Sequence, residues 1–558
     1  MTVRVYGAIL MATIAVRSGN TLAQPPAPAE KSATSLVGNT GLAGQTGVAG
    51  KTEVVGKAVE PGNDRAADPP VGGVVCRKAD DAGEALRDAL PTLGSLMIIG
   101  GGARHENHAL WSDFARLAGG AGRRVAVLPC ASGHPRKNGE RSVKMLQGYG
   151  LDAFLVPLAI TGLEGFRHDE VARDPVWIEQ VRKADGVYFI GGSQGRIRDA
   201  LVDGQGRATP MLDAIWEVYR RGGVVAGTSA GAAVMSRVMF RDPATILQNL
   251  QHGVHMGKDL GDGLGFLDPH WFVDQHCLVR GRFARVLVAM SQHGMKYGLG
   301  IDEDTAVVVE RGERARIVGN RGAVVIDLSR ATSGVKSTGG STADGSTSAV
   351  PTAPHPSVQR QTSGNASGNA AGNAAGNAAG NAAGNASGNA AGNAASHSST
   401  KAVGAASDGA APFTLTNARL TYLNHGDAMD LRTLEVVPSV SKRAERKIDP
   451  RAADFRPSLS RKLFYTDVLA NTTLVDILTR VLVHKDGLAI GLAFDGAAAA
   501  EGPTPGFEFR FYRGDDSVGW ETEAHGPTDS TIQNIHLDVR PITIQGPLYR
   551  HASPEPGG

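Results

Sequence analysis

The chain has 558 residues, with 57 Lys or Arg against 55 Asp or Glu, so its formal net charge at pH 7 is only +2. A whole-molecule field able to hold nucleic acid or anionic lipid is thereby excluded. Three scattered cysteines (Cys76, Cys130, Cys277) exclude a disulfide framework or a Cys-x-x-Cys metal site, and no apolar run of about 18 residues exists to span a membrane.

Residues 1–23 have a three-part layout: Arg4, an apolar stretch over 8–16, then Thr21-Leu22-Ala23 before Gln24. This predicts a secretory signal and export to the periplasm or exterior, the alternative being a cytoplasmic leader. Residues 24–85, rich in Pro, Ala and Gly, read as disordered. From Ser95 the pattern changes. Residues 95–100, 124–129, 153–157, 186–190 and 223–226 are short, continuous apolar runs bounded by Gly or Pro, which is how strands buried on both faces read. The segments between them, 107–118, 140–149, 175–183, 195–202 and 211–221, are long enough for crossover helices. The predicted architecture over 86–330 is a three-layer α/β domain with a mainly parallel sheet. Residues 305–310, 315–319 and 323–327 read as its antiparallel edge.

Residues 331–412 contain almost no large apolar side chain and include eight consecutive Gly-Asn-Ala-(Ala/Ser) units from Gly364 to Ala395. Such a stretch cannot bury enough surface to offset a chain entropy of about 1–2 kcal/mol per residue, so it reads as a tether. Residues 413–423 alternate like a strand, so 413–437 is expected to complete the first domain and 331–412 to be an insertion within it. Loop closure cost rises only logarithmically with length, which makes that tolerable. Residues 438–558 read as a small α+β region, with a helix over 465–485 and a strand over 506–512.

The stretch most informative for chemistry is Val225-Ala-Gly227-Thr-Ser229-Ala-Gly231, a buried strand running into Gly-x-Ser-x-Gly and then a helix former. That is the layout of a nucleophile elbow, in which glycines permit the sharp turn that projects the serine beyond the strand end. A turn whose Ser229 merely caps a helix would look the same. Downstream, Asp274-Gln-His276 follows another apolar strand and precedes Arg280, Arg282 and Arg285. Individually these fit a structural histidine and a solvated helix face; together with the elbow they favour a hydrolase of acidic substrates. The turn at Gly100-Gly-Gly102 lacks a phosphate-binding pattern, His105, His108 and His134 lack metal-ligand spacing, and Cys130 ends an apolar strand like a small core residue.

The set Phe189-Ile-Gly-Gly-Ser-Gln194, Gly227-Thr-Ser229-Ala-Gly-Ala, Asp274-Gln-His276 with Arg280-x-Arg282-x-x-Arg285, and Leu299-Gly-Ile-Asp-Glu-Asp-Thr305-Ala resembles the cyanophycinases, serine peptidases related to aspartyl dipeptidase. The resemblance spans about 93–327 and resumes at 413. It implies a fold similar to the class I glutamine amidotransferases, and hydrolysis of arginine-grafted polyaspartate to β-aspartyl-arginine dipeptides through an acyl-enzyme, with no cofactor and no metal. It implies Ser229 as nucleophile, His276 as base, and Gly101 and Ala230 as oxyanion donors. Gln194, Asp274, Arg280, Arg282 and Arg285 would line the substrate pocket. The expected partners are the polymer or short acidic peptides, with no nucleic acid and no membrane span; a homodimer is compatible. A short-peptide dipeptidase and a catalytically weak polymer-binding homologue are the alternatives. One departure stands out: the family pattern puts a Glu between nucleophile and base, and residues 230–275 contain none. Asp242 is the nearest replacement.

Overall fold

Alternate residues of the apolar strands enter two different cores, and this divides the first part of the chain into layers. In the computed structural model, which describes residues 93–334, 412–523 and 529–548, one sheet has β1 (Ser95–Ile99), β2 (Arg124–Leu128), β3 (Asp152–Leu155), β4 (Gly186–Phe189) and β5 (Val224–Thr228) in the order β3-β2-β4-β5-β1, all parallel. Leu96, Ile98, Leu128, Phe189 and Val225 face one core; Met97, Ile99, Val127, Tyr188 and Ala226 face the other. Helix α1 (His108–Leu117) packs on the second side through Trp111 and Phe114, joined by Leu146 of α2 (Pro135–Gly148). Helices α3 (Pro175–Arg182), α4 (Gln194–Leu201) and α5 (Pro210–Arg220) pack on the first. This is a three-layer α/β unit, and its strand carboxyl ends form the crevice where such folds place ligands. A short antiparallel pair, β6 (Val238–Phe240) with β7 (Leu260–Asp262), follows Ser229.

The expectation of a mainly parallel sheet holds only for those five strands. The others in the described residues are mostly antiparallel and, apart from the β6–β7 pair, divide between two sheets. The first sheet continues past β1 through β10 (Thr305–Glu310), β11 (Arg314–Gly319), β15 (Ala428–Asp430) and β16 (Val436–Val437). The second contains β8 (Trp271–Gln275), β9 (Tyr297–Ile301), β12 (Ala323–Asp327) and β14 (Leu415–Leu423), then the long hairpin β20 (Thr504–Glu521) and β21 (Ser530–Ile544), flanked by β19 (Leu488–Phe494) and β18 (Leu463–Tyr465). Two short strands join at its margins: β13 (Thr332–Ser333) on β14 and β17 (Arg446–Ile448) on β20. Residues 323–327 are therefore not an edge of the first sheet. The free side of β11 is taken by β15, and β12 pairs with β9 and β14 instead.

Residues 438–548 likewise extend the second sheet rather than standing apart from it. Helices α6 (Phe283–His293) and α7 (Thr473–Val483) share its apolar core, with Phe283 edge-on to Phe509. The helix expected over 465–485 begins only at Thr473. Asp467 bonds the Leu469 N–H and Thr472 takes a left-handed backbone (φ 59°), so the chain turns between β18 and α7. Residues 1–23, 24–85 and most of 331–412 lie outside the described residues, but the two ends of the insertion do not. Gly334 N–H bonds the backbone carbonyl of Thr414, and β13 pairs with β14.

Candidate active site

The last strand residue of β1 and the two glycines after it act as a ruler for the site. Ile99, Gly100 and Gly101 present three successive backbone carbonyls, and these accept the N–H groups of Ser229 (2.9 Å), His276 (2.8 Å) and Asp304 (2.8 Å). Three segments distant in sequence, following β5, β8 and β9, are thus hung on consecutive peptide units. Because β5 belongs to the first sheet and β8 and β9 to the second, the site forms where the two sheets meet at β1. Gly101 is glycine for a steric reason. Its φ is +111°, and a Cβ there would lie 2.3 Å from His276 Cε1.

At this junction Ser229 Oγ lies 2.9 Å from His276 Nε2, although 47 residues separate them. Ser229 makes no capping bond to the helix that follows, which is a single turn, Ala230–Ala233. The helix-cap alternative for this serine is removed by that geometry. His276 is 8% exposed. Burial and the neighbouring Arg280 cation lower its pKa, partly opposed by Glu303, whose Oε1 sits 2.6 Å from Nδ1. A neutral imidazole with Nδ1 held by a carboxylate and Nε2 against a hydroxyl can accept the hydroxyl proton.

Glu303 is the acid the sequence reading missed. It lies 27 residues after His276, not between Ser229 and His276. Asp242 is exposed, two residues beyond β6, and the hydrogen bonds of the imidazole go to Ser229 and Glu303 instead. The available signal was Asp302-Glu303-Asp304, three carboxylates in a row between the buried strands β9 and β10. The outer two brace the middle one. Asp302 accepts the Val279 N–H (3.0 Å) and pairs with Arg321 (3.1 Å). Asp304 accepts Arg104 N–H (2.9 Å), Asn107 Nδ2 (3.0 Å) and Asn320 Nδ2 (2.7 Å).

The residues expected to line a substrate pocket divide. Arg280 is exposed beside the site, 3.7 Å from Glu303. Arg282 is partly buried and donates to the backbone and side-chain oxygens of Gln275; burial pulls its guanidinium down to about 10, which leaves it charged at neutral pH. Gln194, the first residue of α4, donates Nε2 to the Phe240 carbonyl (2.7 Å). Asp274 and Arg285 require correction: they are 1% and 6% exposed and bond each other twice, at 2.7 and 2.8 Å, with the guanidinium over the Phe240 ring. Both belong to the core, because β8 is buried on both faces and the inner side of α6 meets it there. Gly101, expected as an oxyanion donor, lies against the imidazole, where a Cβ would meet the ring. Gly191 is the glycine packed on Ser229, where an added Cβ would lie 3.3 Å from Ser229 Cβ. Ala230, directly after Ser229, is fully buried. Cys130 is buried in the core with its thiol pushed up to about 12.

Comparison with known proteins gives this geometry its class. The profile of Peptidase family S51 matches residues 96–318. The cyanophycinase of Geminocystis herdmanii is 32% identical over 241 residues, 42% of this chain and 81% of that protein. The cyanophycinase of Trichormus variabilis is 30% identical over 245 residues, covering 43% and 76%. A crystal structure of a peptidase from an acI-B1 actinobacterium aligns over 43% of this chain and 92% of its own, at 23% identity and a TM-score of 0.33. With its α/β fold, the chain is a serine peptidase. It belongs to peptidase family S51, and its likeness within that family is to the cyanophycinases.

Proposed function

We propose that this peptidase hydrolyses cyanophycin, arginine-grafted polyaspartate, to β-aspartyl-arginine dipeptides through an acyl-enzyme. The contact that carries the reading is the 2.9 Å approach of Ser229 Oγ to His276 Nε2, with Nδ1 held by Glu303. Ser229 sits at the bend between β5 and a one-turn helix, with φ 54°, which supports a nucleophile elbow of the kind found in class I glutamine amidotransferases. His276 takes the hydroxyl proton as Ser229 Oγ attacks the backbone carbonyl, and returns it to the departing amine as the C–N bond breaks. Water, deprotonated by the same imidazole, then cleaves the acyl-ester and frees Oγ. Glu303 keeps the Nδ1 tautomer and stabilises the imidazolium. For the oxyanion, the backbone N–H of Ala230, next in chain to Ser229, would act with a second glycine N–H, that of Gly101 beside the imidazole or that of Gly191, which packs on Ser229.

A substrate carrying both carboxylate and guanidinium groups suits a site where an exposed Arg280 stands 3.7 Å from Glu303. The polymer-binding alternative drew its support from a missing orienting acid, and Glu303 removes that support. The test is to incubate insoluble arginine-grafted polyaspartate, and separately Asp-X dipeptides, with the protein and with Ser229→Ala. Release of β-Asp-Arg by the parent alone is expected. Cleavage of the dipeptides with the polymer left intact would replace this reading with a dipeptidase.

A further inference from the structure

A cavity of about 630 Å³ lies behind the acid loop, between Asp302 and the C-terminal strands. Its volume falls in the range of small-ligand sites, roughly 300–1,000 Å³. It is separate from the serine site: none of Ser229, His276, Glu303 or Gln194 lines it. Of its lining, only Leu278 and Asp302 fall within the residues matched by the family profile. Asn320 and Arg321 come from the turn between β11 and β12, and the remaining lining residues, Tyr422 to Ile532, follow the insertion, so most of the cavity wall is supplied by this chain's C-terminal residues.

Its charges are arranged in pairs from three separate places in the fold. Asp302 pairs with Arg321 across the loop behind the site (3.1 Å), Asp476 with Arg480 one turn along α7 (2.7 Å), and Glu521 with Arg446 across the strand pair β20 and β17. Among the described lining residues the three guanidinium groups match the three carboxylates in number, so the formal charge of the wall is zero. A purely anionic or purely cationic ligand would meet as much repulsion as attraction. A ligand with both signs can exchange partners with two pairs at once, replacing half-exposed ion pairs that are individually worth little. The hydroxyl of Ser530, also in the lining, is buried without a hydrogen-bond partner among the described residues. A buried polar group left in that state is the one most relieved by a bound polar molecule.

We propose that this cavity is a second binding site, for a small zwitterionic peptide bearing both a guanidinium and a carboxylate. The choice of ligand rests on the proposed function, because β-aspartyl-arginine is the molecule of that chemistry which the reaction would release. The experiment is calorimetric titration of β-Asp-Arg into Ser229→Ala protein, which binds without turnover. Two variants are compared with it: Thr479→Trp, which places an indole in the cavity from α7, and Arg480→Ala, which removes one charge from the wall. We expect a binding event that either variant weakens at least tenfold, and that free arginine or free aspartate matches only at tenfold or more higher concentration. Binding unchanged in both variants, or no binding at millimolar dipeptide, overturns the proposal. Unaltered melting temperatures show that the variants are folded, and Arg480→Ala keeps the test open should the indole disturb α7. The polymer assay separates the two readings: release of β-Asp-Arg with an empty cavity sinks only the second site, and a filled cavity without polymer cleavage sinks only the substrate assignment.

Discussion

Ser229 and His276 both hold left-handed backbone angles, φ 54° and 50°, that residues with a Cβ ordinarily avoid. Such strain persists only where surroundings over-determine it, and here each residue is fixed by its N–H on the ruler of β1 carbonyls. The third member was harder to read. The motif containing Glu303 was visible in the sequence, but nothing in a linear pattern says that the turn after β9 comes back to the imidazole. Glu303→Gln should lower kcat by roughly 10⁴, the cost known for losing the acid that orients a catalytic histidine, while Asp242→Asn should leave kcat unchanged. Steady-state kinetics on the two variants decide between them. The pH dependence follows from the environment of His276. Below its pKa the imidazole already carries a proton and cannot take one from Ser229, so activity is lost as pH falls. Burial and Arg280 lower that pKa, so the acid limb of kcat/KM should fall below pH 6.5. Arg280→Gln removes one of the three lowering influences, leaving burial and Arg282, and should move the limb up toward the ordinary histidine value. A limb already at or above 6.5 in the parent protein would contradict this.

At the scale of elements, the strand and helix pattern of the first sheet could be read from apolar runs and their spacing, and the predicted helices agree with α1, α3, α4 and α5 to within a residue or two at either end. The charged residues after His276 could not be sorted in that way. Asp274, Arg280, Arg282 and Arg285 look equivalent as a list, yet β8 and α6 turn Asp274 and Arg285 inward onto each other and leave Arg280 in solvent. Removing one partner of a buried, doubly bonded pair strands the other charge, at a cost of about 3–5 kcal/mol. Asp274→Ala should therefore lower thermal stability severely, whereas Arg280→Ala should leave the melting temperature nearly unchanged. Thermal melts of the two variants distinguish a core pair from a substrate pocket, since a pocket residue would spare the fold.

For the molecule as a whole, residues 331–412 leave and re-enter at adjoining points, as the Gly334 to Thr414 bond shows. Joining Gly334 to Pro412 through a four-residue loop should preserve activity within about twofold. It should also stabilise the fold by about 2–3 kcal/mol if the whole loop-closure term is recovered, measurable by denaturant titration. Loss of activity on excision would give the insertion a direct part in the reaction. By itself the amino-acid order determined the parallel strands, the Gly-x-Ser-x-Gly bend, the histidine and the likeness to a peptidase family, because each is written in a local run of residues or a short motif. Only the tertiary structure decided which carboxylate serves the imidazole, which charges are buried, and that the C-terminal strands extend a second sheet. Those outcomes depend on contacts between residues far apart in the chain, and local periodicity carries no record of such contacts.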